Sequence, residues 1–360
     1  MKQETTKPGV HGRGALENPA GRFEKLATIE ERDDDFHDPE DESGKRLPTT
    51  VFRDASRSVI STNDSPDIGM EASVNPYRGC EHGCIYCYAR PTHEYFGLSA
   101  GLDFETKIFA KTDAPELLRA KLASKSWEPK VITFSGVTDC YQPIERKMKI
   151  TRGCMQVLAA FRNPAVVITK NYLVTRDIDI FKEMAAVQAI AVNLSITTLD
   201  PKLARAMEPR ASRPALRLRA VEELAKAGIP VSVMVAPIVP GLTEHEIPAI
   251  LEAVANAGAR TAHYTVMSLP YGVKDLFQTW IAEHYPDRAK KVLNRIREIR
   301  GGKLNDPRFG SRMKGEGVHA DQVAQIFAHY KKRYGLDRRY TALSTAAFRC
   351  GGNDGQGELF

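Results

Sequence analysis

From about residue 114 onward the apolar residues fall into two alternating patterns. Short β-branched runs read as buried strands, and longer runs with an apolar residue every three or four positions read as helices. Strands are expected at 131–135, 166–170, 189–196, 231–235 and 262–266. Helices are expected between and after them at 115–124, 152–161, 177–187, 214–227 and 244–257, the last two stopped by Gly228 and Gly258. A short strand at 73–76 comes before all of these and makes six. Repeated strand-then-helix units imply a parallel sheet with helices outside it. The fold class is therefore α/β, an open partial (β/α)6 barrel of TIM type, with ligands at the C-terminal ends of the strands.

Flanking segments complete the expected organisation. Residues 1–48 are polar and acidic, with Glu30-Glu31-Arg32-Asp33-Asp34-Asp35 and a second acidic run at 38–42. Such a composition buries too little apolar surface to offset the entropy of ordering, so a largely disordered tail is expected. A short piece at 21–24 is expected to dock on the body. Residues 49–272 form the core. Residues 273–360 form a helical extension, with helices at 273–300, broken near Pro286, and at 321–334, separated by a Gly/Arg-rich loop at 309–317.

Charge is uneven. The chain carries +6 overall, but residues 1–48 hold 8 Lys and Arg against 12 Asp and Glu, leaving 43 against 33 for the rest. A body of +10 suits a polyanionic partner such as nucleic acid, although basic residues dispersed along the chain also suit an enzyme with no such partner. No apolar run approaches the roughly 20 residues that cross a bilayer, and no secretory leader pattern follows Met1. A cytoplasmic protein with reduced thiols and no membrane partner is expected.

The chemistry centres on Cys80-Glu81-His82-Gly83-Cys84-Ile85-Tyr86-Cys87. Three cysteines at C-x₃-C-x₂-C spacing can place three thiolates on one [4Fe–4S] cluster. A fourth iron left without a cysteine can then chelate a substrate or cofactor. Structural zinc asks for four ligands, commonly from two paired knuckles, and here there is one triplet. Cys140, Cys154 and Cys350 lie far from it in sequence. A zinc-stabilised, non-catalytic nucleic-acid-binding module is the alternative.

The triplet, with an aromatic residue before its third cysteine, resembles the signature of the radical S-adenosylmethionine (SAM) enzymes. The longer run Asn75-Pro76-Tyr77-Arg78-Gly79-Cys80 and Cys87-Tyr88-Ala89-Arg90 is similar to the branch related to spore photoproduct lyase, a DNA repair photolyase-like group. The resemblance runs from about residue 48 to the C-terminus and implies the same partial barrel. It implies a [4Fe–4S] cluster on Cys80, Cys84 and Cys87, and SAM bound at its open iron. Reductive cleavage would give a 5′-deoxyadenosyl radical that takes hydrogen from a substrate.

Site residues follow from the same resemblance. Tyr86 is expected at the adenine, together with the apolar segment 235–241. Ser135, Gly136, Thr138 and Asp139 stand where the family binds the methionine amino group, although the usual Gly-Gly-Glu form is missing. Lys170 is the candidate for the SAM carboxylate. Ser195 and Thr197 stand where ribose hydroxyls or the carboxylate bind, and Arg210 can pair with a carboxylate or phosphate. Cys140, in the loop that follows 135–139, is the candidate hydrogen donor to a substrate radical, with a buried inert thiol as its alternative. Arg90, His93 and Tyr95 either meet a nucleobase or phosphate or pack around the cysteine loop.

Expected partners are a flavodoxin- or ferredoxin-type electron donor and nucleic acid, in repair or modification, with a peptide or small-molecule substrate as the alternative. The tail Gln356-Gly357-Glu358-Leu359-Phe360 resembles the peptide by which bacterial DNA-metabolism proteins bind the sliding clamp.

Overall fold

The structure is a computed structural model that describes residues 13–15, 47–338 and 342–350. The expected docking piece at 21–24, the acidic runs and the clamp-like tail at 356–360 lie outside the described residues.

Four short strands precede the cysteines: β1 (Thr50–Arg53), β2 (Ile60–Thr62), β3 (Ala72–Val74) and β4 (Tyr77–Arg78). After them come a 3₁₀ helix at Arg90–Phe96, α1 (Leu102–Thr106) and β5 (Lys107–Ala110). The regular alternation begins with α2 (Ala114–Ala123) and β6 (Ile132–Phe134). It continues through α3 (Glu145–Met148), α4 (Ile150–Phe161), β7 (Ala165–Thr169), α5 (Ile178–Ala186) and β8 (Ile190–Ser195). α6 (Pro201–Met207), α7 (Pro214–Lys226), β9 (Val231–Ile238), α8 (Ile247–Asn256) and β10 (Thr261–Val266) complete it. The extension holds α9 (Val273–His284), α10 (Pro286–Ile299), α11 (Ser311–Lys314) and α12 (Val318–Arg333).

All six expected strands form one sheet, in the order β10-β9-β8-β7-β6-β3-β2. β3 and β6 to β10 run parallel, and β2 pairs antiparallel on the outside of β3. Because side chains alternate along a strand, Ile190, Val192 and Leu194 of β8 enter the core shared with α2, α4, α5 and α7. Ala191, Asn193 and Ser195 therefore line the opposite, inner face. Pro286 breaks the long helix as its missing N–H requires, so α9 stops at His284 and α10 starts at Pro286. α12 joins the sheet through Phe327, whose ring lies 4.6 Å from that of Tyr264 on β10.

Beyond short elements added at the joins, such as β2, α1, α3 and α6, three features depart from the expectation. A second sheet, β1-β5-β4, brackets the cysteine loop, with β4 leading in and β5 leading out. Every β1 side chain is exposed, so no apolar alternation announced it. β9 runs on to Ile238, three residues past the expected end. α11 occupies part of the loop expected at 309–317.

Candidate metal centre

Residues 79–90 have little regular structure, so their shape comes from side chains that hold their backbone. Arg90 has no exposed surface and uses its whole guanidinium for this. Its Nε donates to the Cys84 carbonyl at 2.9 Å and Nη2 to Gly83 O at 3.1 Å. Nη1 donates to Ala100 O and Gly101 O at 3.1 and 3.0 Å, and Nη2 also meets Glu105 Oε1 at 2.5 Å. Gln142 clamps the other end, accepting from Glu81 N at 2.9 Å and donating to Gly79 O at 3.1 Å. Of the two readings left open for Arg90 and His93, packing is the one observed. His93 sits edge-on to Phe96, Phe104 and Phe109, and its Nε2 meets Lys107 O at 2.9 Å. Tyr95 is 70% exposed.

The three thiols lie at one end of the sheet, after β3 and against the C-terminal ends of its neighbours. Cys80 and Cys84 are buried and Cys87 is half-buried. Burial pushes the Cys80 thiol up, with Asp139, Cys84 and Cys87 adding to the effect. Burial also raises Cys84 and Cys87. Thiols that oppose one another's ionisation suit a metal centre, because a bound cationic centre removes that penalty and takes the thiolate form. Structural zinc asks for four ligands, whereas a cubane takes one thiolate per iron, so three thiols fit a cluster with one iron left open.

The strand ends surround the loop. Asp139, expected at the methionine amino group, has a side chain only 10% exposed and fully engaged. It accepts from Thr169 Oγ1 at 2.7 Å, Lys170 N at 2.8 Å and Tyr141 N at 2.8 Å, and faces His82 Nδ1 at 3.3 Å. Burial opposes its charge, but His82 and these hydrogen bonds outweigh it and hold the carboxyl below its ordinary range. His82 Nε2 lies 3.1 Å from Asn171 Nδ2, so Asp139 and Asn171 together fix the loop histidine against β7.

A second network lies under Tyr86. Its hydroxyl donates to Glu208 and lies 3.3 Å from Thr197 Oγ1. Thr197 donates to Glu208 at 2.8 Å and Arg217 pairs with the same carboxylate. Burial works to raise the Glu208 carboxyl, but Arg217 and Lys170, with the bonds from Arg217 and Tyr86, hold it at about 2. Arg217 also donates to Ser195 O at 3.0 Å and Ser212 O at 2.7 Å. Lys170 Nζ reaches Ala236 O at 3.4 Å, bridging the ends of β7 and β9.

The remaining expected residues divide in two. Ser135, Gly136 and Lys170 are part-exposed at the strand ends. Asn75 braces that edge by accepting from Val137 N at 2.8 Å. Thr138 instead donates inward to Tyr77 O at 2.6 Å. Arg210 is committed to Glu81 at 2.9 Å and Thr49 at 3.2 Å, so its guanidinium braces the cysteine loop. Cys140 matches the alternative given for it, a buried thiol. It has no exposed surface and packs in the core with Phe134, Tyr141 and Cys154, whereas a donor must present its sulfur to a substrate. Glu208, which holds the Tyr86 hydroxyl, and Arg217, which pairs with Glu208, were given no role from the sequence. Arg217 carried a signal, since it sits on the buried stripe Pro214, Arg217, Ala220, Val221, Leu224 of α7. A charge on an apolar stripe needs a buried partner.

A family model described as the radical SAM superfamily matches residues 74–254. An uncharacterised protein of Mycobacterium tuberculosis is 32% identical over 262 residues, covering 72% of this chain and 74% of its own. An uncharacterised protein of Methanocaldococcus jannaschii is 26% identical over 227 residues, covering 63% and 81%. A solved spore photoproduct lyase complexed with dinucleoside spore photoproduct shares the fold, with a TM-score of 0.55 at 16% identity over 79% of each chain. A spore photoproduct lyase mutant with bound AdoMet and dinucleoside spore photoproduct gives 0.52 at 17% identity, over 79% and 77%.

Proposed function

The chain belongs to the radical SAM superfamily and is an enzyme, and from that premise we propose that Cys80, Cys84 and Cys87 hold a [4Fe–4S] cluster whose open iron takes SAM. The observation that carries this reading is one rigid loop presenting three thiols beside the C-terminal ends of a parallel sheet. Held by Cys80, Cys84 and Cys87, such a cluster would supply the single electron that reductive cleavage of SAM to methionine and a hydrogen-abstracting 5′-deoxyadenosyl radical requires.

The chain's own residues position and enclose the reactants. Ser135 and Gly136, braced by Asn75, offer small side chains and backbone carbonyls to an ammonium group at the end of β6. Lys170 meets the SAM carboxylate from the end of β7, leaving its weak contact with Ala236. Tyr86 turns its ring toward the adenine while Glu208 and Thr197 hold its hydroxyl. Ser195, at the end of β8, stands on the ribose side, and Thr197, whose hydroxyl is committed to Glu208 and Tyr86, stays behind it. Asp139, Thr138 and Arg210 act one step back, fixing the loops that carry these groups.

The proposed substrate class is nucleic acid, in repair or modification. The +10 body supports it, as does a fold shared with a lyase whose complex holds a dinucleoside photoproduct. The proposed electron donor is of flavodoxin or ferredoxin type. No helix among the described residues is long and apolar enough to cross a membrane.

Anaerobic reconstitution with iron and sulfide, reduction and addition of SAM test the chemistry. The expected result is 5′-deoxyadenosine above the protein-free control, lost in Cys84→Ala. A colourless protein that takes up zinc without sulfide overturns the reading. The substrate class is tested by DNA binding across salt, since phosphate contacts impose a steep negative slope. Absence of binding at every salt concentration moves the substrate to a peptide or small molecule.

A further inference from the structure

Three residues from the polar N-terminal region lie against the cysteine loop, Gly14 and Ala15 buried and Arg13 half-buried. The N–H groups of Gly14 and Ala15 donate to the two oxygens of Glu105, at 3.0 and 2.9 Å across 91 and 90 positions of chain. Glu105 is the same carboxylate that Arg90 uses to hold the loop. Arg13 reaches Glu105 O at 2.9 Å, Leu47 O at 2.8 Å and Thr49 Oγ1 at 3.1 Å. Thr49 in turn donates to Glu81 Oε1 at 2.7 Å, and Glu81 accepts from Ile144 N at 2.6 Å. Glu81, directly after the first cysteine, is thus tied to this short segment through Thr49.

The fit is close enough to require glycine. A Cβ on Gly14 would stand 1.8 Å from the Gly83 carbonyl oxygen, and that oxygen belongs to backbone that Arg90 already fixes. Gly83 meets it from the other side with φ at +66°, where its own Cβ would stand 2.7 Å from Glu105 Oε2. Ala15 has no exposed surface and joins the apolar cluster of Cys84, Ile85 and Tyr86.

We propose that residues 13–15 are a positioning strap that locks the cysteine loop, setting the placement of Cys80, Cys84 and Cys87 and screening them from solvent before any metal binds. The N–H groups of Gly14 and Ala15 complete the shell of Glu105, so Arg90 and the loop carbonyls it holds have one arrangement. Freeing the strap leaves Glu105 short of two donors and opens the face of Gly83 to water. The loop then samples open states without unfolding the sheet.

The test uses the full-length, metal-free, reduced protein and the alkylation rate of each cysteine, read by mass spectrometry after timed iodoacetamide pulses. Cys140 and Cys154, buried in the sheet core, are internal controls, and exposed Cys350 reports the reagent's full rate. In Gly14→Ala, Cys80, Cys84 and Cys87 are expected to react about tenfold faster or more, with Cys140 and Cys154 unchanged. Unchanged rates at the three loop cysteines overturn the proposal.

If Gly14→Ala also exposes the core thiols, Arg13→Ala decides, because it removes hydrogen bonds without a clash. Selective acceleration of the loop thiols then supports the strap. No acceleration, or equal acceleration of loop and core thiols, overturns it. A second readout, faster decay of cluster absorbance under an iron chelator, rests on the cluster reading above. The thiol rates need no cluster, so they test the strap even in a protein that fails to reconstitute.

Discussion

The parallel sheet and the cysteine loop sit side by side but are held by different physics. In the sheet, Ile190, Val192 and Leu194 pack against Val167, Val233 and the covering helices, all without exposed surface. That burial is non-directional and tolerates exchange of one apolar shape for another of similar volume. In the loop, carbonyls of Gly79, Gly83 and Cys84 each meet a named donor from Gln142 or Arg90. Directional bonds in a low-dielectric interior fix position more tightly, and leave more unpaired when one partner goes. A protein that presents three thiols in one geometry needs the second kind of order at the site, carried on the first kind.

Arg90→Ala should break that contrast most. It removes the Arg90 donor from four carbonyls at once and leaves the Glu105 carboxylate without its buried counter-charge, held by the N–H groups of Gly14 and Ala15. Removing one member of a buried ion pair costs about 3–5 kcal/mol. The expected result is a large fall in the chemical denaturation midpoint together with loss of cluster uptake. Arg90→Lys should rescue neither, because one ammonium cannot reproduce the planar fork. A midpoint within error of the parent protein would refute the assignment of loop order to Arg90.

Ile190→Val probes the other side of the comparison. Deleting one buried methylene from β8 should cost about 0.5–1.5 kcal/mol. Denaturation should register that loss while cluster content per folded molecule stays at the parent level. A fall in cluster content would mean that sheet packing sets the loop's geometry directly.

The same contrast governs what was legible. The β/α order was readable because each strand carries its own apolar run, as at 190–195, and each helix its own stripe. The cysteine triplet was readable because its spacing is local. Of the loop's supports, Arg90 was legible as packing because it lies just past the last cysteine; the others were not, because they are single polar residues far apart in sequence. Glu105 meets Ala15 across 90 positions, and Arg210 meets Thr49 across 161. Nothing in the pattern around Arg13, Gly14 and Ala15 separates them from the polar tail, and β1 has no buried side chain to mark it. Asp139 and Arg210 were found as polar residues near strand ends. Which way each side chain turns depends on partners that only the fold assembles, and those partners draw both toward the cysteine loop.

Arg219→Gln should have the smallest effect and sharpens the comparison by keeping the chemistry and changing only the burial. Arg219 and Glu223 form an ion pair on α7 at 2.8 Å, close in length to the Arg90–Glu105 pair. Their side chains are 63% and 31% exposed, whereas both members of the loop pair are at 0%. Water and counterions screen the exposed pair, and holding two long side chains together offsets much of what attraction remains. Glu223 also keeps the Tyr172 hydroxyl at 2.8 Å when the arginine is gone. The denaturation midpoint should therefore stay within replicate scatter at low salt and coincide with the parent at about 1 M salt, where the Debye length is about 3 Å. Cluster uptake and thiol alkylation should not change. A loss approaching that of Arg90→Ala would mean that proximity of charges alone, and not their burial among backbone carbonyls, sets the strength of these pairs.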